Sequence, residues 1–180
     1  MTKGDLMSGI DKILVSREEI SKKVKELGER ISKDYKGQDL LLVGVLKGAV
    51  VFMADLLREI TIPVEVDMIS VSSYGSGTDS TGIVKIVKDL DVNIKDRHVL
   101  IVEDLIDTGL TLQHLKELLA TREPLSVKVC TIFDKPTRRI VDVPIEYNGI
   151  SIPNYFVIGY GLDYAGEYRN LPDLCTMKQI

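Results

Sequence analysis

The stretch Val99-Leu100-Ile101-Val102-Glu103-Asp104-Leu105-Ile106-Asp107-Thr108-Gly109-Leu110-Thr111-Leu112 limits the folds open to this chain more than any other segment. Four apolar residues run straight into two adjacent carboxylates. A third carboxylate follows, then a Thr-Gly-x-Thr turn, and a helical pattern begins directly after it. An uninterrupted apolar run marks a parallel strand covered on both faces. At the carboxyl end of such a strand the chain enters the crevice where open α/β sheets bind ligands. The helix that follows starts with free backbone N–H groups and the positive end of its dipole, a ready site for a phosphate. Thr108 and Thr111 add hydroxyl donors, and Gly109 allows close backbone approach. Glu103 and Asp104 cannot also hold phosphate. They suit sugar hydroxyls or a hydrated Mg²⁺.

The rest of the chain alternates strand and helix patterns. Residues 1–11 read as polar and loosely ordered. Ser16-Arg17-Glu18-Glu19 is a capping box, and Ile20, Val24, Leu27 and Ile31 then mark one face of an amphipathic helix that Gly37 stops. Leu40 to Leu46 is a buried strand, broken by Lys47-Gly48, with a helix over 49–60. Strands are expected over 64–71, 83–87, 98–104 and 125–133, and a helix over 109–121. Residues 72–82 are rich in Ser, Gly and Thr and read as a mobile loop holding one aromatic, Tyr74. The last forty residues are short apolar pieces broken by Pro144, Asn148-Gly149, Pro153 and Gly159, which suit a small hood.

This alternation implies an α/β fold, a central parallel sheet flanked by helices on both faces. Lys47, the Glu103–Thr111 loop and Lys135 each follow a strand, so one ligand edge gathers them. A single domain is expected over 1–180, with a core at about 13–140, a hood at about 141–180 plus N-terminal residues, and a lid loop at about 72–82.

Composition excludes several classes. The chain has 180 residues, enough for one sizeable core. Its net charge of −4 argues against general nucleic-acid binding. Cys130 and Cys175 have neither disulfide-framework nor metal-ligand spacing, and Cys130 reads as a small core residue. His98 and His114 are too few for a metal cluster. No leader and no long apolar span appear, which gives a cytoplasmic expectation with no membrane partner.

The string from Glu103 to Thr111 resembles the signature loop of the type I phosphoribosyltransferases, which bind 5-phosphoribosyl-1-pyrophosphate. Further segments resemble the hypoxanthine-guanine branch of that family. Val45-Leu46-Lys47-Gly48-Ala49 is similar to its pyrophosphate loop, and Ser72-Ser73-Tyr74-Gly75 to the start of its lid. Asp134-Lys135-Pro136 is similar to the segment whose lysine meets the purine 6-oxygen. Phe156 to Tyr164 resembles the base-binding hood, and Glu167-Tyr168-Arg169-Asn170-Leu171 carries an arginine like the one that contacts pyrophosphate. The resemblance covers roughly residues 13–177.

That resemblance implies the type I phosphoribosyltransferase fold and an enzyme that joins a purine N9 to ribose C1 with loss of pyrophosphate. Mg²⁺ is the implied cofactor, with Glu103, Asp104 and Asp163 as its contacts. Lys47, Gly48, Glu103, Asp104, Thr108, Gly109, Leu110, Thr111 and Arg169 are the implied contacts of 5-phosphoribosyl-1-pyrophosphate. Asp107 is the implied general base by purine N7. Lys135, Phe156, Val157 and Asp163 would bind the base, and Ser73 and Tyr74 belong to the lid. A non-proline cis bond at Leu46–Lys47 would fit the family's pyrophosphate loop. Relatives that place lysine at the position of Leu110 have a cation this loop lacks. A homodimer or homotetramer is implied by resemblance alone.

Simpler readings stand beside these. Asp107 suits an N-cap of the following helix, Phe156 suits plain core, and Arg138 and Arg139 suit a solvated surface or a subunit contact. Three rival functions share the fold: a xanthine-preferring enzyme, an RNA-binding regulator like the pyrimidine-operon attenuation proteins, and a nucleotide-binding module without catalysis. The acid-rich balance speaks against the second. The set of Lys47, Asp107, Lys135 and Arg169 speaks against the third.

Overall fold

The computed structural model describes residues 9–73 and 84–178. The elements are β1 (Ile10–Val15), α1 (Arg17–Asp34), β2 (Leu40–Leu46), α2 (Val50–Glu59), β3 (Glu65–Ser73), β4 (Val84–Lys88) and β5 (His98–Ile106). Then come α3 (Leu110–Ala120), β6 (Ser126–Asp134), a short 3₁₀ turn (Pro136–Arg138), β7 (Tyr147–Ser151), β8 (Val157–Ile158) and β9 (Leu174–Met177).

The capping box forms as the sequence predicts. The Glu19 N–H donates to Ser16 Oγ at 3.3 Å, and the Ser16 N–H donates to Glu19 Oε2 at 2.9 Å. Two otherwise orphaned donors are thereby satisfied. The helix then buries Ile20, Val24, Leu27 and Ile31.

Six strands form the main sheet in the order β4-β3-β2-β5-β6-β7. Strands β3, β2, β5, β6 and β7 pair in parallel, whereas β4 pairs with β3 antiparallel. The sheet is therefore mixed at one edge rather than wholly parallel. The apolar runs of β2 and β5 explain its centre. Leu40, Leu42, Leu100 and Val102 pack with α1 and α2, while Leu41, Val43, Val99 and Ile101 pack with α3. Alternate residues thus serve two cores, one on each face, and burial of each such side chain contributes about 1.5–3 kcal/mol.

Two expectations for the chain ends need correction. Ile10 and Asp11, expected to be loose, instead open β1, which pairs antiparallel with β9 in a second sheet of order β1-β9-β8. Tyr147–Ser151, expected within the hood, instead add β7 to the main sheet beside β6. The smaller sheet carries the hood. Ser73 closes β3, and Tyr74 and the remainder of the expected lid to residue 82 lie outside the described residues.

Candidate active site

The site opens where two central strands part. Pairing between β2 and β5 runs only to Gly44 opposite Val102, yet β5 stays paired with β6 as far as Ile106 opposite Asp134. Past Val102 the two strand ends diverge and leave a crevice at the point where the strand order reverses. Lys47-Gly48 leaves β2 on one side of it, and Glu103 and Asp104 lie on the other. The Leu46–Lys47 peptide is cis, as the family resemblance implied.

A cavity of about 430 Å³ fills this crevice. Lys47, Gly48, Glu103, Asp104, Asp107, Lys135, Phe156, Val157, Asp163 and Arg169 all border it. A smaller one of about 190 Å³ is bordered by Glu103, Asp107, Thr108, Gly109 and Thr111 at the start of α3. Glu103, Leu105 and Asp107 are common to both, so the two adjoin along β5. The structure therefore brings together the described candidates apart from Leu110, whose side chain borders neither cavity; Ser73 ends β3. A larger groove of about 970 Å³ lies between α1, α2 and the hood and shares only Arg169 with the crevice. It contains none of the Glu103, Asp104, Asp107 and Lys135 set, so chemistry rather than size selects the crevice.

Its electrostatics divide into an acidic floor and a cationic rim. Glu103 is buried and Asp104 partly so. Burial first, then the neighbouring Asp104 charge, pushes the Glu103 carboxyl well above the usual carboxylate range. Burial also raises Asp104, against the Leu105 N–H that donates to Oδ1 at 2.8 Å and the Arg169 charge. Two close carboxylates in a desolvated floor hold protons unless a cation or hydroxyl donors meet them. These hard oxygen donors fit Mg²⁺, which binds one or two carboxylates and takes its other oxygens from water and phosphate. Among the described residues no cluster of three or more acidic, His or Cys groups could hold a metal by itself. Asp163, the third expected metal contact, borders the same cavity but forms no three-carboxylate cluster with Glu103 and Asp104. It instead pairs with Arg169 Nη2 at 2.6 Å and accepts from the Gly166 N–H at 2.8 Å.

Around the base end, Lys135 is buried, and burial lowers its ammonium below the usual lysine range, against the opposing pull of Asp107. Phe156 is 59% exposed, with Tyr164 edge-on at 5.8 Å between ring centroids. Core packing does not hold it, so a ring face is available for stacking. Val157 is buried in β8.

Asp107 is not the N-cap of α3. Gly109 fills that position with φ 85°, and no side chain caps the helix. The Asp107 carboxylate instead accepts from Arg138 Nε at 3.0 Å. Arg139 is not solvated either. It pairs with the buried Asp134 carboxylate and donates through Nη1 to the Asp107 carbonyl at 2.9 Å. Sequence reasoning missed both arginines because basic residues after a strand usually face water. Their closeness to the Asp107 turn arises only when the 134–141 segment folds back, with the Ile140 N–H donating to the Thr108 carbonyl at 2.9 Å.

Comparison with known proteins agrees with this geometry. The phosphoribosyl transferase domain model matches residues 12–165. The chain is 50% identical over 174 residues to the hypoxanthine-guanine phosphoribosyltransferase of Streptococcus mutans serotype c, covering 97% of each chain. It is 50% identical over 169 residues to the enzyme of the same name from Bacillus subtilis, covering 94% of each. The crystal structure of a hypoxanthine phosphoribosyltransferase from Staphylococcus aureus superposes with a TM-score of 0.94 at 44% identity, covering 99% of this chain and 97% of that one. A crevice floored by paired carboxylates, bordered by a buried lysine and adjoining a helix N-terminus, thus occurs in a chain that belongs to the phosphoribosyl transferase family, in its hypoxanthine-guanine branch.

Proposed function

We propose that this chain is a cytoplasmic enzyme of purine salvage. It transfers the 5-phosphoribosyl group from 5-phosphoribosyl-1-pyrophosphate to N9 of hypoxanthine or guanine, giving IMP or GMP and pyrophosphate. The observation that carries this reading is the pair of adjoining cavities bordered by Lys47-Gly48, Glu103-Asp104 and Lys135 on one side and Asp107, Thr108, Gly109 and Thr111 on the other.

The transition state places positive charge on the sugar and negative charge on the departing diphosphate. Lys47 and Arg169 supply positive charge where the diphosphate leaves. Glu103 and Asp104 hold the ribose 2′- and 3′-hydroxyls, directly or through Mg²⁺. When bound, Mg²⁺ neutralises charge on the diphosphate oxygens. Thr108, Gly109, Leu110 and Thr111 receive the 5′-phosphate through N–H groups, hydroxyls and the helix dipole, worth up to ~2 kcal/mol in favourable geometry. Asp107 takes the purine proton near N7.

Lys135 selects the base. Its ammonium has three donors and no acceptor, so it binds a 6-oxo group and meets only another donor in adenine. The unpaired polar group costs adenine roughly 1–3 kcal/mol. Phe156 stacks on the ring, and the main chain at Val157 and Asp163 reads the opposite edge. Ser73 and Tyr74 belong to the proposed lid. The chain acts as one domain, and as a homodimer or homotetramer, on the family resemblance.

The deciding experiment supplies 5-phosphoribosyl-1-pyrophosphate and Mg²⁺ with hypoxanthine, guanine, xanthine and adenine in parallel. Turnover of the first two with adenine inert is expected. Preference for xanthine would keep the mechanism and overturn the account of the hood, and no turnover of any base would sink the proposal.

A further inference from the structure

Two cations converge on one carboxylate at the base end of the crevice. Lys135 and Asp107 border the same cavity, and Arg138 reaches Asp107 Oδ1 from the rim. The Lys135 ammonium has no hydrogen-bond partner among the described residues and only a narrow opening to solvent, the residue's relative exposure being 6%. A desolvated ammonium gains by moving onto a nearby carboxylate. Such a pair would close the slot in which the purine must sit.

We propose that Arg138 is a positioning residue for base binding: by occupying Asp107 Oδ1 it keeps Lys135 off that carboxylate and the base slot open. This rests on the reading of Lys135 and Asp107 given above. Several features make Arg138 suited to the task. It ends the 3₁₀ turn that follows Lys135, and its N–H donates to the Lys135 carbonyl at 3.0 Å. The Lys135 N–H in turn donates to the Ile106 carbonyl at 3.0 Å. Both cations are therefore tied to the strand end that carries Asp107. Arg138 is only half-buried, and a guanidinium is more weakly hydrated than an ammonium, so it can stay on a rim carboxylate. Its positive charge also repels Lys135. A single Nε contact leaves Asp107 Oδ2 available for a purine N–H.

The test compares Arg138→Ala, Arg138→Lys and Lys135→Met, with the Arg138→Ala/Lys135→Met double variant. IMP affinity is read by calorimetry, together with the KM for each substrate and the melting temperature. Arg138→Ala should weaken IMP and raise the hypoxanthine KM by about five- to tenfold, the size of one charge-assisted contact. The KM for 5-phosphoribosyl-1-pyrophosphate should move less than about twofold by the same reckoning. Arg138→Lys should recover part of the loss, and in the Lys135→Met background the Arg138→Ala effect should vanish. Unchanged IMP affinity in Arg138→Ala overturns the proposal. So does an undiminished effect in the double variant, or an equal rise in both KM values with a lowered melting temperature. If Arg138→Ala does not fold, Arg138→Gln serves with the same expectations. Asp107→Asn measured alongside separates the two levels: intact turnover there would refute the proton-acceptor role, whereas the IMP readings do not depend on it.

Discussion

Gly48 lies directly against the Asp104 carboxylate: a Cβ at Gly48 would fall 1.6 Å from Asp104 Oδ2. The Lys47-Gly48 turn and the acidic floor are thereby in contact across the crevice, and only hydrogen fits between them.

Gly48→Ala should therefore push Asp104 out of place. Misplacing a substrate-holding group by an ångström can cost about 100-fold in rate, and kcat/KM for 5-phosphoribosyl-1-pyrophosphate should fall by that order. The KM for hypoxanthine should change far less. Steady-state kinetics with each substrate varied in turn checks this, and equal effects on both would refute it.

The raised Glu103 and Asp104 carboxyls make a stability prediction with a definite sign. A carboxyl raised in the folded state stabilises the fold most below its unfolded value. That contribution is lost as pH rises through the folded value. In the ligand-free protein the contribution of this pair should fall from acid toward neutral pH, against carboxylates such as Asp67 whose lowered values act in the opposite direction. Glu103→Gln removes the buried charge and should melt higher at pH 8, with the gap closing near pH 4, in the ordinary carboxylate range. A gain of about 1 kcal/mol corresponds to about 2–4 °C at this size. Mg²⁺ with 5-phosphoribosyl-1-pyrophosphate should stabilise the parent more than Glu103→Gln. Melting curves across pH test all three, and a gap constant with pH would count against the assignment.

Lys135 offers a second pH signature. Burial lowers its ammonium, so the charge is lost at a lower pH than in a free lysine. Hypoxanthine use should therefore decline early on the alkaline side, and Lys135→Arg should move that limb upward because guanidinium stays charged. Lys135→Met should lower kcat/KM for hypoxanthine by about 10- to 100-fold and narrow its advantage over adenine. An unshifted alkaline limb in Lys135→Arg would remove Lys135 from this role.

Much of this was readable before any coordinates, for reasons visible in particular residues. The apolar runs at Leu40–Leu46 and Val99–Val102 announce central strands because both their faces are covered. β5 runs on past Asp104 to Ile106, which the two carboxylates disguised; only β6 pairs with it there. β1 escaped for a similar reason. Two register irregularities against β9 break its alternation, leaving Ile13 exposed while Ile10 and Val15 are buried. The reversed direction of β4 has no signature in a five-residue edge strand. The Arg138 and Arg139 contacts are tertiary, set by a fold-back that no local pattern encodes.

Arg139 carries the largest predicted cost in stability. The carboxylate of its partner Asp134 is buried and, among the described residues, otherwise accepts only from Asn148 Nδ2, at 3.1 Å. Breaking a buried pair by deleting one partner costs roughly 3–5 kcal/mol. Arg139→Ala should approach that, and Asp134→Asn in the same chain should recover part of it. Urea unfolding of the two single variants and the double measures the coupling, and strict additivity would show that the pair contributes nothing.

The pairing of β1 with β9 sets an order of assembly. During synthesis the strand that shuts the hood emerges before every other element, while its partner emerges after all of them. The strand ends that carry Lys47, Glu103, Asp104 and Lys135 belong to β2 through β6 and emerge together, whereas Arg169 on the far wall of the crevice comes later. The smaller sheet must wait, because among the described residues β8 pairs only with β9, and β9 lies between β8 and β1. A nascent chain would thus hold a half-built site, able to engage a phosphorylated sugar before it can choose a purine.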